Sequence, residues 1–227
     1  MQQWLLTSGI NTLTPVVNQV DGKYSIDIIQ GKSQVGDKDE LREQMIDVAV
    51  LKIEKIAGVT ADEIDEDGDI ELKNKVLVGQ TLENCLIDDS GIKKDAMTCD
   101  DKPWAILLNY RNKGYARIRF DAVSQENLVR DLRYVVNIAD RTYIWRTFVD
   151  MVANNELNLA DWYKVIINNL RFELEEQTIA IVFAQLLKTI KNGLFTEEQT
   201  TIIFNMVSKM ELSVDEYSQF SKGALIS

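Results

Sequence analysis

Histidine is absent from all 227 residues. That absence removes Ser-His-Asp and Cys-His catalysis and every zinc site built on imidazole, because no other side chain offers a neutral nitrogen base titrating near pH 7. Most hydrolase chemistry is thereby excluded from this chain. Cysteine occurs only twice, and Cys85 and Cys99 lack a CxxC spacing. A thiolate metal cluster and a disulfide framework are not indicated, and both residues read as reduced thiols. No run approaches the ~20 apolar residues of a membrane helix, and Met1 to Ile10 lacks the basic region of a signal peptide. The expectation is a cytoplasmic protein without membrane contact. Positive charge is also short: 25 basic residues stand against 36 acidic, a formal net charge of -11 that repels nucleic acid and anionic lipid. There is no GxxxxGK phosphate loop, GxGxxG, His-Glu-x-x-His or nucleophile elbow. No catalytic, cofactor-binding or metal-binding residue is assigned to this chain.

What is present is a chain able to fold, with 45% hydrophobic and 27% charged residues, long enough for one large domain or two ordinary ones. Two is the expectation. Nine of the eleven glycines and both prolines precede Phe120, so the breakers are concentrated in one half. In that half apolar residues alternate with polar ones: Tyr24, Ile26 and Ile28, then Ile46, Val48 and Val50, which predicts half-buried strands. Asp21-Gly22, Asp67-Gly68 and Ser90-Gly91 fall between such runs, where reversals accept positive φ. An all-β antiparallel sandwich over 9–121 follows.

From residue 122 the period becomes helical, with starts predicted at Ser124, Asp140, Asn158, Thr196 and Ser213. Thr196 with Gln199, and Ser213 with Glu216, fit the capping-box spacing. Stripes follow, such as Ile144, Phe148, Met151 and Val152, then Trp162, Val165, Ile166 and Leu170, then Ile179, Val182, Phe183, Leu186 and Ile190. Two helices make a unit of roughly 36 residues, inside the range of helical-hairpin, HEAT-like repeats. The expected second domain is therefore an all-α array over 122–227. Ala224, Leu225 and Ile226 stand where a solenoid would need a polar cap, so the array reads as truncated, and Trp4-Leu5-Leu6 reads as the end of a preceding helix.

Several local motifs compete with blander readings. Lys113 to Phe120 follows the aromatic RNA-binding strand signature except at Arg117, where an aromatic belongs. Its expected companion Val76-Leu77-Val78-Gly79 carries leucine instead of a ring; a strand with a basic face is the better account. Glu63 to Glu71 resembles half a calcium loop, but Glu63 stands at position one and Asn74 at position twelve. A solvated acidic hairpin fits better. Trp145, Phe148, Met151 and Trp162 read as core. Glu173, Glu175 and Glu176 form a conceivable carboxylate cluster, equally explained as helix-start charges.

An ordered series of matches points further. Trp4-Leu5-Leu6-Thr7-Ser8-Gly9-Ile10-Asn11-Thr12-Leu13 resembles the "WLxTxGxNTL" stretch that closes the catalytic domain of aminopeptidase N-type zinc metallopeptidases. Leu41-Arg42 looks like that family's "LRxHxI" segment, with Gln44 in place of the histidine and Ile46 following. Leu107-Leu108-Asn109 and Gly114-Tyr115-Ala116-Arg117-Ile118-Arg119-Phe120-Asp121 are similar to its "LLN…YAKIRLD" strand. Arg141 with Trp145, and Asp150-Met151-Val152 running to Glu156-Leu157, look like its first C-terminal helices.

The resemblance implies that residues 1–8 are the tail of a preceding catalytic domain, which carries the His-Glu-x-x-His zinc helix and the Gly-x-Met-Glu-Asn motif. Neither motif occurs here. Zinc is thus implied for the parent enzyme and not for this chain, which should be inactive alone. The implied role is a spacer sandwich and a helical bowl covering the active site, with the parent's catalytic domain and peptide substrates as partners. The alternative is a stand-alone adaptor binding a peptide or protein through the helical groove.

Overall fold

The computed structural model describes residues 9–32, 40–55, 63–64, 70–71 and 74–210. The segments Trp4–Leu6 and Ala224–Ile226, the Asp67-Gly68 turn and the Ser213 helix start lie outside the described residues. Among the described residues nine strands come first: β1 (Thr12–Val20), β2 (Lys23–Gly31), β3 (Gln44–Lys55), β4 (Glu63–Ile64), β5 (Ile70–Glu71), β6 (Asn74–Ile87), β7 (Ile92–Cys99), β8 (Ala105–Tyr110) and β9 (Arg117–Ile118). Five helices of the described residues follow: α1 (Ala122–Asp131), α2 (Ile138–Ala153), α3 (Leu159–Asn169), α4 (Glu176–Lys191) and α5 (Glu197–Val207). Two compact units divide after Asn127, inside α1.

The content is mixed α and β, which corrects the expectation of an all-β antiparallel sandwich followed by an all-α array. The first unit takes in the start of α1. Nor is its sheet wholly antiparallel. One sheet has the order β7-β2-β1-β9, with β9 parallel to β1; a second has the order β6-β3-β8, and among the described residues β4 and β5 pair with each other as a third, two-stranded sheet. Thr12 lies opposite Arg117 and Leu13 opposite Ile118, so the two ends of the strand region close against each other.

Local chemistry explains the joints. Asp21 and Gly22, at φ 51 and 79, form the two-residue reversal between β1 and β2, the geometry whose twist suits adjacent antiparallel strands. Ser90-Gly91 does not close a hairpin, because β6 pairs with β3 whereas β7 pairs with β2; this turn carries the chain between sheets. Alternation also fails in β3. Residues Ile46 to Leu51 are buried without a break, as expected of a central strand covered on both faces and interrupted by bulges.

Helix starts shift by up to three residues from the predicted ones. Asp121 rather than Ser124 caps α1, accepting from the amides of Val123 and Ser124 at 3.1 Å each. Asn137 rather than Asp140 caps α2, accepting from the Asp140 amide at 3.1 Å. Asn158 caps α3, and Thr196 with Gln199 closes a full capping box on α5.

The helical unit repeats with a period of 38 residues, slightly longer than predicted. α2 and α4 span equivalent positions, as do α3 and α5, each pair displaced by 38. Short 3-10 turns Leu132–Tyr134 and Leu170–Phe172 recur in the same register, each directly after a helix. So do the left-handed residues Asn155 (φ 57) and Gly193 (φ 65) that reverse the chain after α2 and α4. Equivalent helices pack together, α2 on α4 and α3 on α5. The stripe residues Ile144, Phe148, Trp162, Val165, Ile166, Val182 and Leu186 are fully buried, as periodicity predicts. Asn169 ties the repeats together: its side chain accepts from the Arg133 amide at 3.0 Å and donates to the Val129 carbonyl at 2.9 Å.

Candidate functional site

The three glutamates at 173, 175 and 176 do not form a cluster. Glu173 is buried, Glu175 half-buried and Glu176 exposed. Glu173 instead centres a polar knot at the base of α2. Its Oε2 accepts from Arg141 Nε at 3.1 Å and from the Trp145 indole at 3.2 Å. Its Oε1 accepts from Arg141 Nη2 at 3.3 Å and from the amides of Leu174 and Glu175 at 3.2 Å each. Arg141 Nη1 also donates to the Val135 carbonyl at 2.9 Å. A carboxylate whose oxygens are saturated by five donors has no lone pair free to take a proton from a substrate, so the knot fixes helices instead of performing acid-base work.

A second buried carboxylate pins the strands. Asp47 lies on β3 with a side-chain exposure of 1% and faces Lys113, whose Nζ is 2.9 Å from Oδ2. Its Oδ1 accepts from the Asn84 amide at 2.9 Å. Burial is the largest influence on this carboxyl and pushes it up, but the Asn84 amide, the Lys113 hydrogen bond and the charges of Lys113 and Arg111 together hold it below its ordinary value.

Asn109 and Gly114 form a closed clamp between β8 and β9. Gly114 N–H donates to Asn109 Oδ1 at 2.7 Å, and Asn109 Nδ2 donates to the Gly114 carbonyl at 2.9 Å. A Cβ at Gly114 would stand 2.7 Å from Ile46 Cγ2 and 3.2 Å from the Met45 carbonyl, so the position has room for glycine alone. Beyond the clamp the backbone meets β1: Arg117 N–H donates to the Asn11 carbonyl and Arg119 N–H to the Leu13 carbonyl, both at 2.9 Å.

The same segment carries the RNA-like signature, and its geometry does not suit base stacking. Tyr115 is exposed, whereas Arg119 and Phe120 are buried, and β9 is a two-residue edge strand. The calcium-like run lies mostly outside the described residues; Glu63 pairs with Glu71 and Ile64 with Ile70 in antiparallel register, as a hairpin requires. Among the described residues no three of Cys, Asp and Glu come together to hold a metal. Cys85 and Cys99 are both free and buried, and burial pushes both thiols up, away from the thiolate a zinc site needs. Among the described residues these two buried thiols do not offer the thiolates of a zinc site.

A shallow groove of about 620 Å³ opens on the first unit between the end of β3, the β7–β8 connection and the start of α1. Ile53, Trp104 and Val123 give it an apolar floor, and Lys52, Glu54 and Lys102 are among its charged walls. Asn127 Nδ2 donates to the Trp104 carbonyl at 2.7 Å and fixes the rim. No periodic signal marks this groove, since its lining comes from three separate stretches. No helix of the described residues is long and apolar enough to cross a membrane. Neither the family models nor the curated proteins compared with this chain contain a match.

Proposed function

We propose that this chain is the noncatalytic segment of an aminopeptidase N-type zinc metallopeptidase, an enzyme that releases N-terminal amino acids from peptides. In this reading the two sheets form the spacer sandwich, and the 38-residue helix pairs open a helical-hairpin, HEAT-like array that covers the active site and contacts peptide. The parent's catalytic domain supplies the zinc ligands and the reaction.

The observation that supports the reading best is the meeting of two distant matched stretches. Asn11 to Leu13, from the "WLxTxGxNTL" match, and Arg117 to Arg119, from the "YAKIRLD" match, are hydrogen-bonded parallel neighbours about a hundred residues apart. Local chance matches have no reason to pair across a sheet. Arg141 and Trp145, the first matched helical residues, likewise converge on one carboxylate.

The test is the reading frame upstream of Met1. An in-frame His-Glu-x-x-His sequence followed by a distal glutamate is the expected result. A stop codon directly ahead of Met1 in the transcript would overturn the reading and leave the stand-alone adaptor.

A further inference from the structure

Strand β3 outruns its neighbour β8. Trp104 N–H donates to the Leu51 carbonyl at 3.1 Å, and β8 begins directly after it at Ala105. Pro103, the residue before, has no N–H with which to extend the ladder. β3 nevertheless continues to Lys55, held on its other side by β6, where Lys52 lies opposite Leu77 and Ile53 opposite Val76. Along a strand the N–H and carbonyl of alternate residues face the same edge. The Leu51 carbonyl faces β8, so the N–H and carbonyl of Ile53 face that way too, and among the described residues no backbone hydrogen bond forms there.

This open stretch of edge borders the groove whose apolar floor is Ile53, Trp104 and Val123, all within the first unit. Ile53 is 38% exposed. Lys52 and Glu54 neutralise each other at 2.6 Å. Among the described residues of the lining, that leaves the exposed Asp101 and Glu126 against Lys102, an acidic excess on a chain of net charge -11.

We propose that the Ile53 edge takes up an extended basic peptide segment of another protein, which adds as a short strand antiparallel to β3 on the line that β8 leaves. Main-chain hydrogen bonds supply the affinity of such an addition, and contacts to alternate side chains supply its selectivity. An extended chain turns alternate side chains to one face: an apolar one meets the Trp104 and Val123 floor, and lysine or arginine beside it answers Asp101 and Glu126. The site lies in the first unit by itself and does not depend on an upstream zinc helix.

The test is fluorescence anisotropy of the full chain with a fluorescein-labelled ten-residue peptide, two valines at alternate positions among lysines and threonines, at low and at physiological salt. Saturable binding is expected, and glutamate in place of the lysines should weaken it by about tenfold or more. Backbone N-methyl groups on alternate peptide residues distinguish a strand addition from side-chain adhesion, because only one edge of the peptide is bonded. One alternate set should abolish binding, and the other should leave it within about threefold. Ile53→Pro removes the open N–H without touching the ladder to β6 and should weaken binding by about tenfold. Glu126→Lys should weaken it by about threefold, and Glu198→Lys, the same charge change on α5, should stay within about twofold. Absence of binding at low salt, equal losses from both N-methyl sets on the unaltered protein, full binding by Ile53→Pro, or equal losses in Glu126→Lys and Glu198→Lys would each overturn the proposal. So would a dimer in sedimentation without peptide that Ile53→Pro abolishes, because the occupant of the edge would then be a second copy of this chain.

Discussion

Two buried carboxylates carry the sharpest consequences at the scale of single residues, and they differ in kind. Glu173 and Arg141 have side-chain exposures of 1% and 14%, and the Trp145 indole depends on the same carboxylate. Glu173→Ala leaves the Arg141 charge unpaired in a dry site, a change that costs about 3–5 kcal/mol. Urea denaturation followed by tryptophan fluorescence should show the loss, and a midpoint equal to wild type would refute the burial assigned to this pair. Asp47 makes a pH prediction. Its folded carboxyl sits below the ordinary value of 3.8, so it contributes stability that is complete above the unfolded value and is lost as pH falls through the folded one. Asp47→Asn should therefore reduce stability at neutral pH and show a flatter acid limb than wild type in urea midpoints taken between neutrality and pH ~2. Neither partner choice was legible in the sequence. Glu173 stood beside Glu175 and Glu176 as one of three similar charges, and only the packing of α2 against α4 selects which of them turns inward.

At the scale of elements, the joints matter more than the spans. Gly114 is held where a side chain would strike Ile46 and the Met45 carbonyl, so Gly114→Ala should cost about 1–3 kcal/mol through overpacking, measured as a fall in the chemical denaturation midpoint. Thr196 closes a capping box whereas Asn158, at the equivalent place one repeat earlier, caps through its side chain without one. Thr196→Ala is expected to cost about 1 kcal/mol, a small effect because α5 keeps its buried Ile203 and Val207. Helices and their buried stripes were readable because a 3.6-residue period records one buried face. Helix starts at Asp121 and Asn137 were not, because Ser124 and Asp140 are equally good caps by composition and the backbone direction decides between them. The half-buried reading of β3 failed for a related cause: alternation records the chemistry of a strand but not whether a second layer covers its polar face.

At the scale of the whole molecule, composition sets a firm limit on chemistry. With no histidine, and with two buried thiols whose protonation burial favours, the purified chain should retain no stoichiometric zinc and release no amino acid from aminoacyl reporters. One tightly bound equivalent of zinc accompanied by turnover would contradict both the donor chemistry and the proposed role. The 38-residue period makes the helical unit a repetition of one local design, in which each pair buries its stripe against the next. By itself the sequence determined the division into a strand-rich and a helix-rich part, the buried helical stripes and the lack of a catalytic histidine, since each is written in composition or short-range periodicity. Only the tertiary structure decided that β9 lies parallel to β1, that Ser90-Gly91 crosses between sheets and that Glu173 meets Arg141. Those pairings join residues far apart in the chain, and no local period encodes which distant partner a side chain will meet.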